Sequence, residues 1–201
     1  MPSSDPDNAQ PESAWASRKV IVALSGGIAC FKSATIVSKL VQQGAEVRVL
    51  MTEGAQKFVT PLTLQSLSGS SVITSIWQAV DRPDAQHIGL ARWCDLLIIA
   101  PASANTIAKI ATGITDDVVS LTTCALPKET PVLIAPAMNA DMWANPIVQR
   151  NVATIQQVLG YKTVGPESGW QACRTEGAGR MSEPQAIVET AKQLATEKSG
   201  P

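Results

Sequence analysis

Short, unbroken apolar runs recur along this chain, separated by longer amphipathic stretches. Val20-Ile-Val-Ala-Leu24 and Leu96-Leu-Ile-Ile-Ala100 contain no polar residue, and Val132–Ala135 repeats the pattern. A strand with one wet face alternates in polarity, whereas an uninterrupted apolar run marks a strand covered on both faces. Between these runs the apolar spacing becomes helical. Ile28–Gln43 reads as a helix stopped by Gly44, a residue suited to a C-terminal cap. Glu46–Met51 reads as a further strand, Val72–Ile76 as an edge strand, and Lys162–Val164 as a short strand. A short helix or turn is expected at Thr60–Leu67, and helices at Ile88–Trp93, Asn105–Ala111, Asp116–Ala125, Pro146–Leu159 and Pro184–Ala195. Alternating strands and helices predict an α/β fold, a three-layer Rossmann-like (flavodoxin-like) parallel sheet with helices on both faces.

The 201 residues suit one domain, expected over 18–197, after a disordered polar leader (1–17) and before a frayed tail (198–201). Trp15 is the leader's exception, a residue expected to pack on the body or on a neighbour. Charged residues make up only 16%, below the usual quarter, so part of the surface is expected to be covered by another subunit. A net charge of −1 gives no electrostatic reason to expect nucleic acid or an anionic membrane as partner. Four cysteines without C-x-x-C spacing and a single histidine do not make a structural zinc set, so no metal is expected. The absence of a signal-peptide pattern and of a membrane-spanning apolar run points to a reduced, cytoplasmic protein. Cys30, Cys94 and Cys124 read as buried packing residues.

Parallel sheets bind ligands at the carboxyl ends of their strands. The first such end is Ser25-Gly26-Gly27-Ile28-Ala29, where small residues let backbone N–H groups approach an anion; the same glycines also suit a plain tight turn. The full G-x-G-x-x-G pattern is absent, and the second strand ends in Thr52 rather than in a ribose-gripping acid, although Glu53 is adjacent. The third end, Pro101-Ala-Ser103-Ala104-Asn105-Thr106, is hydroxyl-rich, and Ser103 is equally suited to cap a helix. Three small, polar strand ends favour a mononucleotide such as FMN over NAD.

The fourth end runs Pro136-Ala137-Met138-Asn139-Ala140-Asp141-Met142-Trp143, which offers pocket walls and an amide handle. Asn139 also suits an N-cap, and the Met and Trp residues also suit a core. His87, the only histidine, suits a general base or a surface cap. Cys173 lies in a glycine-rich stretch, Gly169–Met181, that reads as a mobile loop or flap on which a thiol can serve as an acid.

With these motifs together, the chain resembles the flavin-containing cysteine decarboxylases, and among them the enzymes acting on phosphopantothenoylcysteine. The resemblance spans about Lys19 to Pro184 and is carried by 101–106, 136–143, Ala172-Cys173 with Gly179-Arg180-Met181, and Ser25–Ala29. It implies FMN as cofactor, held by Ser25, Gly26, Gly27, Ile28, Thr52, Ser103, Ala104, Asn105, Thr106 and Ala137. It implies His87 as base near the flavin, Asn139 as holder of the substrate's cysteine end, and Cys173 as a late proton donor. Met142 and Ala172 join the substrate site on the same grounds. The implied reaction turns 4'-phosphopantothenoylcysteine into 4'-phosphopantetheine in coenzyme A biosynthesis. The thiol side is oxidised to a thioaldehyde, CO₂ departs, and the electrons are returned. A homo-oligomer, trimer or dodecamer built from trimers, and a separate phosphopantothenoylcysteine synthetase are implied as partners. Where relatives carry Gly directly after the cysteine that matches Cys173, this chain has Arg174. The competing readings are a decarboxylase of peptide C-terminal cysteines, a flavin prenyltransferase and a non-catalytic flavin-binding subunit.

Overall fold

The computed structural model describes residues 15–78 and 86–197. The central sheet has five strands in the order β2-β1-β3-β4-β5. These are β1 (Lys19–Leu24), β2 (Glu46–Met51), β3 (Leu96–Ala102), β4 (Val132–Pro136) and β5 (Lys162–Thr163), and every pairing is parallel. The helices are α1 (Cys30–Gln42), α2 (Pro61–Ser68), α3 (Gln86–Trp93), α4 (Ala104–Thr112), α5 (Val118–Cys124), α6 (Ala140–Ala144), α7 (Pro146–Gln157) and α8 (Pro184–Glu197).

The unbroken apolar runs are explained by two cores. Side chains in a strand alternate between faces. Val20, Val22 and Leu24 therefore pack with Ile36 and Leu40 of α1, Leu64 of α2 and Ile187 of α8. Ile21 and Ala23 face the other way, towards Leu90 of α3, Ile107 of α4, Val119 of α5 and Ile155 of α7. Either face left open would call for polar residues at every second position.

From β1 the chain moves outward to β2, then returns past β1 to start β3. The switch in direction opens a crevice at the carboxyl ends of β1 and β3, the position at which such sheets take ligands. Ser25 stitches this crevice. Its N–H and hydroxyl both donate to the Pro101 carbonyl (3.1 and 2.8 Å), and its Oγ accepts from Ser103 N–H at 2.7 Å.

Several expectations are corrected. Val72–Ile76 is not an edge strand; only Ile73 pairs, opposite Leu50. Beyond it the chain turns away, with Thr74 N–H donating to the Gln78 side chain at 3.0 Å. Cys124 is exposed rather than packed. The glycine-rich stretch is no loop but an antiparallel hairpin of β6 (Glu167–Trp170) and β7 (Glu176–Arg180). Trp15 is fully buried, and residues 15–17 form a turn whose Ser17 N–H donates to Gly44. The rest of the expected leader (1–14) and the tail (198–201) lie outside the described residues. Among the described residues no helix is long and apolar enough to cross a membrane, and no cluster of metal-ligating side chains occurs.

Candidate functional site

Two cavities share a wall at the end of β1. The first, about 570 Å³, is lined by Gly26, Thr52 and the start of α4, Ser103, Ala104, Asn105 and Thr106, with Lys109, Trp77 and Met142 at its edges. The second, about 480 Å³, is lined by Gly27, Ile28 and Ala137, and by Asn139, Ala172 and Cys173 under the hairpin. Volumes of this order suit a small organic ligand. The expected cofactor residues are thus divided: Gly27, Ile28 and Ala137 face the space that Asn139 and Cys173 face, whereas Met142, expected with the substrate, faces the other. Ser25 is buried behind the wall and lines neither. His87, half-buried on α3, also lines neither.

Local chemistry places each group. The loop 25–29 stays open because Gly26 lies against Gly54, where a Cβ would meet backbone at 3.0 Å. The start of α1 has no side-chain cap. Ser103 caps α4 by accepting from Thr106 N–H at 3.3 Å, so its structural role is realised while its helix end still faces the first cavity. Asn139 likewise caps α6: its Oδ1 accepts from Asp141 N–H (2.8 Å) and Met142 N–H (3.3 Å). That consumes its acceptor and leaves the Nδ2 group, which donates to Cys173 Sγ at 3.4 Å.

The hairpin reaches Asn139 because its glycines permit close docking. A Cβ on Gly179 would collide with the Met138 carbonyl oxygen, and one on Gly177 would sit 2.6 Å from Ala140 Cβ. Met138 N–H donates to the Gly179 carbonyl at 2.9 Å, and buried Gln171 accepts from Ala140 N–H at 3.1 Å. Arg180 links the two strands through Glu167 at 3.1 Å, and Lys32 of α1 anchors Glu183 at 2.9 Å. Lys32 holds the Glu183 carboxyl below its usual range. Cys173 is held below the ordinary thiol range by hydrogen bonding, from Thr175 first and then Asn139. Cys30, by contrast, is pushed up to about 11 by burial, which makes it inert at neutral pH.

Beside the first cavity, Lys109 contacts Asp116 (2.6 Å) and Asp117 (2.8 Å). Burial opposes charge on both Lys109 and Asp117, but their pairing outweighs it, raising the lysine and lowering the acid. Sequence reasoning missed this triad, as well as Gln171 and Thr175. Cys-x-Thr in a turn was the available signal for Thr175, since a hydroxyl two residues on readily faces back.

The Flavoprotein family pattern matches residues 8–196. The chain belongs to the flavoprotein family. It is 47% identical over 185 residues to the coenzyme A biosynthesis bifunctional protein CoaBC of Bacillus subtilis, covering 92% of this chain and 45% of that one. The chain therefore spans about half the length of that curated relative. A probable phosphopantothenoylcysteine decarboxylase of Streptococcus mutans is 41% identical over 172 residues, covering 86% of this flavoprotein and 96% of the relative. Among solved structures, a PPC decarboxylase mutant complexed with pantothenoylaminoethenethiol superposes with a TM-score of 0.78 at 32% identity, covering 89% and 98% of the two chains. The FMN binding protein AtHal3 superposes equally, with a TM-score of 0.78 at 32% identity, covering 90% and 98%. The expected fold is thus borne out, as is the expected kinship.

Proposed function

We propose that this flavoprotein is an FMN-dependent decarboxylase of 4'-phosphopantothenoylcysteine, yielding 4'-phosphopantetheine. The observation that carries the reading is the Asn139–Cys173 contact at 3.4 Å, in a cavity that shares its wall with a hydroxyl-lined one. The relatives' names and the FMN-binding neighbour support it.

The residues present fit FMN. Thr52, Ser103 and Thr106 supply hydroxyls, Gly26 lets its loop lie against Gly54 at the cavity wall, and the start of α1 is uncapped. A phosphate accepts from such groups readily. Gly27, Ile28 and Ala137 would meet the cofactor from the second cavity. Bound there, FMN supplies reversible two-electron chemistry that makes the thiol-bearing carbon an electron sink for CO₂ loss.

The chain's own groups then have distinct tasks. Asn139 has only its NH₂ to offer, so it binds the substrate carboxylate as a donor. Cys173 delivers the late proton, a task for which a thiol held below its ordinary range is suited. Met142 and Ala172 form walls. His87 acts as base from a neighbouring copy in a trimer or a dodecamer of trimers. That assembly would also cover Trp77, which is 87% exposed in the single chain. The reading places the protein in the cytoplasm, supplied by a phosphopantothenoylcysteine synthetase.

The test combines absorbance with turnover. The purified protein is expected to show a flavin spectrum and to release CO₂ from phosphopantothenoylcysteine faster than from a cysteine-ending peptide. Cys173→Ser is expected to retain the flavin, release CO₂ and accumulate the oxidised product, seen by mass spectrometry. A colourless protein without affinity for FMN, or preference for the peptide, refutes the proposal.

A further inference from the structure

Three polar groups surround the Cys173 sulfur: Thr175 Oγ1 at 3.0 Å, Asn139 Nδ2 at 3.4 Å and Gln171 Oε1 at 3.5 Å. Their capacities differ. An amide NH₂ only donates, and an amide oxygen only accepts. Asn139 Nδ2 can therefore serve a thiolate, and Gln171 Oε1 can serve a thiol. A hydroxyl does both, because its proton rotates. Thr175 is the one partner of the three able to accept from S–H and, once the proton has left, to donate to S⁻.

We infer that Thr175 is a positioning residue that satisfies Cys173 in both protonation states and thereby sets how readily the thiol gives up its proton. The use of that proton in catalysis rests on the decarboxylase reading above. The hairpin turn fixes the pair. Arg174 N–H donates to the Gln171 carbonyl at 2.9 Å, and Gln171 N–H donates to the Thr175 carbonyl at 2.9 Å. Arg174 takes a positive φ of 65°, which turns the chain so that residues 173 and 175 meet. Gln171 is itself anchored to α6 through Ala140, so the sulfur is held on the cavity side. The hydrogen bonds of Thr175 and Asn139 lower the thiol in agreement with this arrangement. The charged groups around the turn are Arg174 and Glu176 on the hairpin and Asp141 on α6. Lys32, Arg180 and Glu183 stand on the cavity wall. All of them remain in the variants below, so comparing the variants isolates the hydroxyl.

The test is the pH dependence of Cys173 alkylation by iodoacetamide in the purified full-length protein. It is read at the Cys173 peptide by mass spectrometry, because Cys124 is exposed as well. Thr175→Val is expected to move the profile to higher pH and to slow alkylation near neutrality by roughly three- to tenfold, because the thiolate loses a hydrogen-bond donor. Thr175→Ser is expected to restore the original profile. A Val profile that superimposes on the parent overturns the inference, and so does a Ser variant that behaves like Val, since the methyl group would then be responsible. The measurement needs neither flavin nor substrate. Failure to decarboxylate therefore strikes the proposed function alone, and an unmoved profile strikes this inference alone.

Discussion

Asp117 joins the stability of the fold to the wall of the first cavity. Its Oδ1 accepts from Val119 N–H (3.0 Å) and Ser120 N–H (2.9 Å), capping α5, while Oδ2 meets Lys109 of α4 at 2.8 Å. Asp117→Ala removes the cap, which costs about 1 kcal/mol. It also removes one charged partner of Lys109, about 1 kcal/mol more, because Asp116 remains at 2.6 Å to limit the loss. The sum, about 2 kcal/mol, lowers Tm by roughly 4–8 °C in a domain of this size. Asp117→Asn keeps the accepting oxygen and loses only the charge, so about half of that deficit is expected. The pH dependence separates the two contributions. The folded carboxyl is lowered, so its charge stabilises the fold above the unfolded value of about 4 and that stabilisation is lost as pH falls through the folded value. The parent should therefore converge on Asp117→Asn in acid while remaining above Asp117→Ala. Thermal unfolding followed by circular dichroism from neutral pH to about pH 3 measures all three. An Ala variant that melts with the parent at neutral pH refutes the assigned cap, and a gap between parent and Asn variant that widens in acid refutes the sign.

Gly179→Ala drives a methyl into the Met138 carbonyl and towards Gln171 Nε2, so the hairpin must lift and Cys173 must leave Asn139. Turnover is expected to fall about 10²-fold, the effect of an ångström-scale misplacement, while flavin absorbance persists; full activity refutes the docking. Arg174→Gly relieves a left-handed backbone at φ 65° and is expected to stabilise by about 0.5 kcal/mol in urea unfolding, because the relief exceeds the added freedom of the unfolded chain. A clear loss of stability refutes it. Asn139→Asp retains the α6 cap but replaces the only free donor with a negative charge beside sulfur. Cys173 alkylation should shift to higher pH and substrate affinity should fall, whereas Tm stays within about 2 °C, since Asp caps as well as Asn. An unchanged alkylation profile refutes the contact.

The sheet was legible because burial on both faces leaves a strand no polar positions, and β1, β3 and β4 carry that mark plainly. The hairpin was not. Glu-Ser-Gly-Trp and Glu-Gly-Ala-Gly-Arg have no alternation to detect, and their glycines are there for close docking on 138–140, a tertiary fact. Cys124 was misread from apolar neighbours rather than from helical phase. Val119, Thr122 and Thr123 occupy the inward side of α5 and Cys124 falls outside it. At the candidate site, Asn139 and Cys173 were legible as isolated residues and their meeting was not, because they stand 34 positions apart in the chain.

The division of labour at Asn139 shows why capping and binding are not rival explanations for one residue. An asparagine side chain has a fixed geometry: orienting the oxygen orients the nitrogen. By fastening Oδ1 to the first turn of α6, the fold aims Nδ2 at Cys173 with no further ordering cost. Ser103 follows the same logic at α4, where its cap fixes the helix end that faces the first cavity. Both caps stand at the carboxyl ends of neighbouring strands, β3 and β4, whose ladder reaches Ala102 and Pro136. The parallel sheet therefore sets the spacing between the two cavities, and a shift in that register would move the groups lining one relative to those lining the other.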